Sequence, residues 1–131
     1  MKLTKILSWA LRITAAIILL QTLYFKFTAH PESVELFTKL GVEPWGRIGT
    51  GVLELICSIL LLLPSSAFIG AIMGIGLMAG AILSHLTVIG IESKGDGGQL
   101  FALAISVLVC CSIVCFLHRE QGSELLHKIK K

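Results

Sequence analysis

Four long apolar runs, separated by short polar segments, set the pattern of this chain. They cover about residues 6–27, 46–64, 67–91 and 99–117, each near the roughly 20 residues a helix needs to cross a bilayer. Backbone groups in lipid must be satisfied within their own segment, so runs of this length predict helices. The longest polar connection has helix punctuation of its own. Pro31 suits a first turn, Glu32 and Glu35 the positive end, Lys39 the negative end and Gly41 the stop. Val34, Phe37 and Leu40 recur at three-residue spacing, so 31–41 predicts a short amphipathic helix at the membrane surface. It would serve as a plain connector or as a lid over the bundle mouth. Pro64-Ser65-Ser66 leaves room only for an antiparallel turn, and residues 92–98 form a flexible polar loop. The tail, 118–131, carries Leu125, Leu126 and Ile129 along one edge and can lie on the membrane surface as a short helix. The expected fold is all-α: a four-transmembrane-helix bundle with a short amphipathic helix between helices 1 and 2, one membrane domain over 1–131.

Composition sharpens this picture. Hydrophobic residues make up 55% and charged residues 15%, against about 25% charged in an average soluble domain. The mean hydropathy of +0.90 excludes an ordinary soluble core and makes the lipid bilayer the first partner. Scarce aromatics and basic residues confined to the ends of apolar runs argue against nucleic acid. A basic start before an apolar run can be a secretory signal. Here the run is long, contains Arg12 and ends in Tyr24-Phe25-Lys26-Phe27, an interfacial anchor, so it reads as a retained first helix. Arg12 can snorkel toward Lys2 and Lys5 or find a buried partner.

Four spans put both termini and the Pro64 turn on one side. That side holds Lys2, Lys5, Arg119, Lys128, Lys130 and Lys131; the other holds Lys26, Lys39, Arg47 and Lys94. The excess favours a multi-pass protein with both termini cytoplasmic. Cys57, Cys110, Cys111 and Cys115 all lie within apolar runs without a CxxC spacing, so they read as small packing residues. No metal-ligand spacing and no catalytic constellation stands out.

The candidate site comes from polar residues inside the spans. Glu54 lies roughly 12 Å below the start of the second span, at a depth where a carboxylate costs about 2.5–3.5 kcal/mol to insert. His85 and Gln21 lie roughly 9 Å below the same surface, with Lys26 and Arg47 near the rim. Agreement in depth between separate helices points to a polar pocket that opens outward. If Glu54 and His85 touch, each favours the other's charged form. Gly70-x-x-x-Gly74 and Gly76-x-x-x-Gly80 suggest a packing face, inside the bundle or against another protein or protomer.

Together these features resemble the DoxX-like family of small four-helix membrane proteins. The likeness rests on Tyr24-Phe25-Lys26, the loop with Phe37 and Gly41-Val-Glu-Pro44, the Gly51-Val-Leu-Glu54-Leu run ending in Leu-Leu-Pro64, and His85. The glycine often found just before the lysine is replaced by Gln21-Thr22-Leu23. The resemblance implies a bundle in the cytoplasmic membrane and ties to redox, since some members are subunits of thiosulfate:quinone oxidoreductases. Related folds act as assembly chaperones. Lys26, Glu54 and His85 are the matching polar positions. Two functions follow as expectations. One is a redox-associated subunit that binds a lipophilic, quinone-like ligand and is not an enzyme on its own. The other is an assembly or binding module docking another membrane protein through its glycine-rich helix faces.

Overall fold

The computed structural model describes residues 2–92 and 95–130. Within them all regular structure is helical, with no strand. Helix α1 (Lys2–Phe27) leads into α2 (Pro31–Lys39) and α3 (Trp45–Leu62). A 3-10 turn at Pro64–Ser66 feeds α4 (Ala67–Ser84), which continues as a π turn over His85–Ile89, before α5 (Gln99–Leu117) and α6 (Arg119–Ile129). Among the described residues four helical stretches are long and apolar enough to cross a membrane: α1, α3, α4 with its flanking turns, and α5. They form a ring, with α1 and α4 each packed on both α3 and α5. Only 28–33% of each apolar window is buried inside the bundle. The remaining surface, with Leu83, Leu86, Val109 and Phe116 on it, suits contact with lipid tails.

The helix ends follow from local chemistry. Leu63 precedes proline and is pushed extended (φ −89°, ψ 125°), so α3 stops two residues short of Pro64. The third span departs from α geometry earlier than its apolar pattern suggests. At His85 the chain widens into a π turn, and Gly90 (φ 89°) ends it by donating its N–H to the His85 carbonyl at 2.8 Å. The loop before α5, expected to be only flexible, carries a cap: the Asp96 carboxylate accepts the N–H groups of Gly98 (2.8 Å) and Leu100 (3.0 Å).

Packing is tight at the Pro64 end. A Cβ on Gly70 would sit 2.8 Å from the Leu61 amide nitrogen, so only glycine allows α3 and α4 this close. Arg12 is 2% exposed and does not snorkel. Its Nε donates to the Leu61 carbonyl at 2.5 Å, and its guanidinium lies 3.8 Å from the Trp9 ring centroid. Ser8 Oγ and His118 Nε2 join α1 to the end of α5 at 2.7 Å. Helix α6 docks through Gln121, whose amide donates to the Pro64 carbonyl (2.8 Å) and accepts the Phe68 N–H (3.1 Å). That N–H belongs to the first turn of α4 and has no partner within the helix. The start of α1 and helix α6 therefore share the Pro64 end, while α2 and residues 95–98 lie at the other. Lys94 and Lys131, which enter the charge count, lie outside the described residues.

Candidate functional site

At the α2 end the four spans enclose a cavity of about 750 Å³. Its floor is apolar, with Leu19, Leu77, Met78 and Leu103. Its upper wall is polar, with Gln21, Thr22, Lys26, Thr50, Glu54, Ser84 and His85. Leu36, Phe37 and Leu40 of α2 turn the apolar face of that helix onto the cavity. His30 caps α2, its Nδ1 accepting the Glu32 N–H at 3.2 Å, and Pro31 occupies the first turn.

Three polar residues converge because of how helices aim their side chains. Each Cα–Cβ bond tilts toward the N-terminus of its helix. Lys26, in the last turn of α1, therefore points back into the bundle, while Glu54 on antiparallel α3 points up toward the α2 end. They meet with Lys26 Nζ 3.0 Å from Glu54 Oε2, and their side chains are only 13% and 6% exposed. The Thr22 hydroxyl lies 3.1 Å from the same oxygen and 2.7 Å from the Leu19 carbonyl. It has one proton to donate, so Lys26 is the principal partner of Glu54.

His85 is held separately. The Gly90 carbonyl lies 2.9 Å from its Nδ1, and the Phe101 ring packs edge-on at 5.5 Å between centroids. The imidazole is 3% exposed and lines the cavity. Glu54 and His85 thus share one cavity, but each has a different partner. Gln21 also lines it, from an exposed position on α1.

Arg47 stands apart from the cavity wall. Its Nε donates to both Glu43 oxygens (2.8 and 3.1 Å) and its Nη1 donates to the Lys26 carbonyl, one of the open acceptors at the end of α1. It ties α1 to α3 just above the ion pair. The glycines divide into two groups. A Cβ on Gly74 would meet Cys111 Sγ at 2.5 Å and Cys57 Sγ at 3.3 Å, whereas at Gly76 and Gly80 it would meet nothing within 4 Å. Both of the latter border the cavity. Helices α3 and α4 are close at Gly70, and α4 has open space beside it at Gly80.

A family model described as the DoxX-like family matches residues 10–115. The chain belongs to the DoxX-like family. Comparison with curated proteins and with solved structures gave no match. The matched region of this DoxX-like protein contains the cavity, its ion pair and His85, and leaves out α6. Among the described residues no three His, Cys, Asp or Glu side chains converge as a metal site. Thr22 and Phe101 did not emerge from the sequence. Thr22 had a signal, being four residues before Lys26 and so on its face of α1. Phe101 had none, because its contact depends on how α5 packs against the π turn.

Proposed function

We propose that this DoxX-like protein binds a lipophilic, quinone-like ligand in the cavity at the α2 end and acts as a redox-associated membrane subunit. The observation that carries the proposal is the cavity itself: about 750 Å³, with an apolar floor, polar side chains on its walls and the apolar face of α2 turned onto it, inside a chain of 131 residues. A volume of this size lies within the 300–1,000 Å³ typical of small-molecule sites. An amphipathic ligand would place its apolar body against Leu19, Leu77 and Leu103 and its head group near Glu54, Lys26 and His85. A carboxylate and an imidazole beside a quinone oxygen suit proton exchange. Electrons would come from a partner protein, so the chain works as a subunit rather than as an enzyme on its own. Placing the termini in the cytoplasm would open the cavity on the opposite side of the inner membrane.

The alternative is an assembly module docking another membrane protein, or a second copy, through its glycine faces. The open space beside Gly76 and Gly80 leaves room for such a partner, but both glycines border the cavity, which favours ligand over protein there.

Native mass spectrometry of gently purified wild type and Glu54→Gln, with organic extraction, tests the two. A quinone or isoprenoid retained by the wild type and lost from Glu54→Gln supports the ligand reading. A stoichiometric protein partner kept by both forms, with no small molecule in either, replaces it with the assembly reading.

A further inference from the structure

The wall of the cavity has a chemical polarity that narrows the ligand class, an inference that rests on the ligand-binding reading above. The backbone of His85 accepts the Gly90 N–H at 2.8 Å, and its side-chain Nδ1 faces the Gly90 carbonyl at 2.9 Å. The π turn makes this double attachment possible, because it brings Gly90 five residues on into register with His85. A carbonyl oxygen only accepts, so Nδ1 must carry the proton. In the neutral ring the lone pair then lies on Nε2, which has no hydrogen-bond partner among the described residues, although His85 is 3% exposed. The edge-on Phe101 ring helps hold this orientation.

We propose that His85 offers the cavity an acceptor nitrogen, so that the site selects lipophilic ligands whose head group donates a hydrogen bond, namely phenols and hydroquinones, over the matching ethers and quinones. Lys26 sharpens the preference rather than cancelling it. A hydroxyl oxygen both donates and accepts, so it satisfies His85 and can still accept a hydrogen bond from the ammonium. A quinone oxygen answers only Lys26 and sets its lone pairs against Nε2. Leaving a buried acceptor unmatched is the costly outcome in such a site.

The test uses the full-length protein in nanodiscs at pH 8. The probes are 4-nonylphenol and 4-nonylanisole, alike in apolar body and differing in the donor, with each affinity corrected for partition into lipid. The phenol is expected to bind about tenfold more tightly, the scale of one hydrogen bond. His85→Phe should bring the phenol down to the level of the anisole. A decylhydroquinone and its quinone, compared without oxygen, should show the same order. Equal binding of phenol and anisole to the wild type overturns this inference and leaves the cavity reading standing. Binding of neither probe, nor of the hydroquinone or quinone, overturns both. Nitrogen-15 spectra of labelled wild-type protein give an answer that does not depend on the variant folding. A protonated Nδ1 and a bare Nε2 that shifts when phenol is added support the proposal; a protonated Nε2 in the resting neutral ring overturns it.

Discussion

Lys26 and Glu54, 28 residues apart and predicted to sit at different depths, form an ion pair of 3.0 Å inside the bundle. Lysine reaches the carboxylate because the end of α1 aims it inward. The pair neutralises the most costly group in the second span. Arg47 then closes the same corner from above through the Lys26 carbonyl.

Removing one partner should be worse than removing both. Lys26→Met leaves a buried carboxylate, and Glu54→Gln a poorly solvated ammonium, so each should lower stability by about 3 kcal/mol. The double variant Lys26→Met/Glu54→Gln should regain most of that loss. Denaturation in a mild detergent, run as a double-mutant cycle, measures the coupling. Additive losses would mean that the two charges do not depend on each other.

The two ends of α4 should respond differently to substitution. Gly70→Ala forces a methyl to 2.8 Å from the backbone of α3 and should destabilise the protein by roughly 1–3 kcal/mol. A Cβ at Gly80 meets nothing within 4 Å, so Gly80→Leu should leave the melting temperature nearly unchanged while reducing the space beside the cavity. Retention of a bound lipophilic molecule should therefore fall in Gly80→Leu at constant stability. Loss of both together would place Gly80 in the packing instead.

At the opposite end, His118 should make stability depend on pH. Burial, and then the nearby Arg12 cation, holds its imidazole below the ordinary value of 6.5. The folded protein therefore takes up this proton less readily than the unfolded chain. Its contribution is complete above pH 6.5 and is lost as pH falls through the lowered value. Wild type should lose more stability than His118→Asn between pH 7.5 and 5, and Arg12→Met should shrink that difference. Parallel curves for wild type and His118→Asn would assign the pH dependence to other groups.

Helix α6 should act as a clip on the Pro64 turn. Gln121→Ala removes the two hydrogen bonds to Pro64 and Phe68 and should cost about 1–2 kcal/mol, visible first as faster amide exchange in the first turn of α4. Unchanged exchange there would show that the Gly122–Phe68 contact alone holds the tail.

The number, order and approximate limits of the helices were legible in the sequence. A run of about twenty apolar residues admits few structures in lipid, and proline, glycine and charge mark its ends. The amphipathic α2 was visible for the same reason, in the spacing of Val34, Phe37 and Leu40. Glu54, Lys26, Gln21 and His85 could be chosen as a polar layer from depth alone. Depth is one coordinate, though, and pairing needs the rotation of each helix and the direction of each side chain. So the sequence left Glu54 beside His85 as an open contact, left Arg12 between water and a buried partner, and placed Arg47 with the site.

Packing decided these matters. The close approach at Gly70 and the space at Gly76 and Gly80 arise from identical residues, and what each meets depends on how α4 turns its faces to its neighbours. The π turn at His85 is likewise invisible in a continuous apolar run, yet it brings the Gly90 carbonyl within reach of the imidazole Nδ1. Sequence by itself determined that this chain forms four membrane-spanning helices, because hydrophobic length and local capping are properties of contiguous residues. Tertiary structure alone decided which polar groups meet, because those partners are separated along the chain and joined only by the way the helices turn their faces to one another.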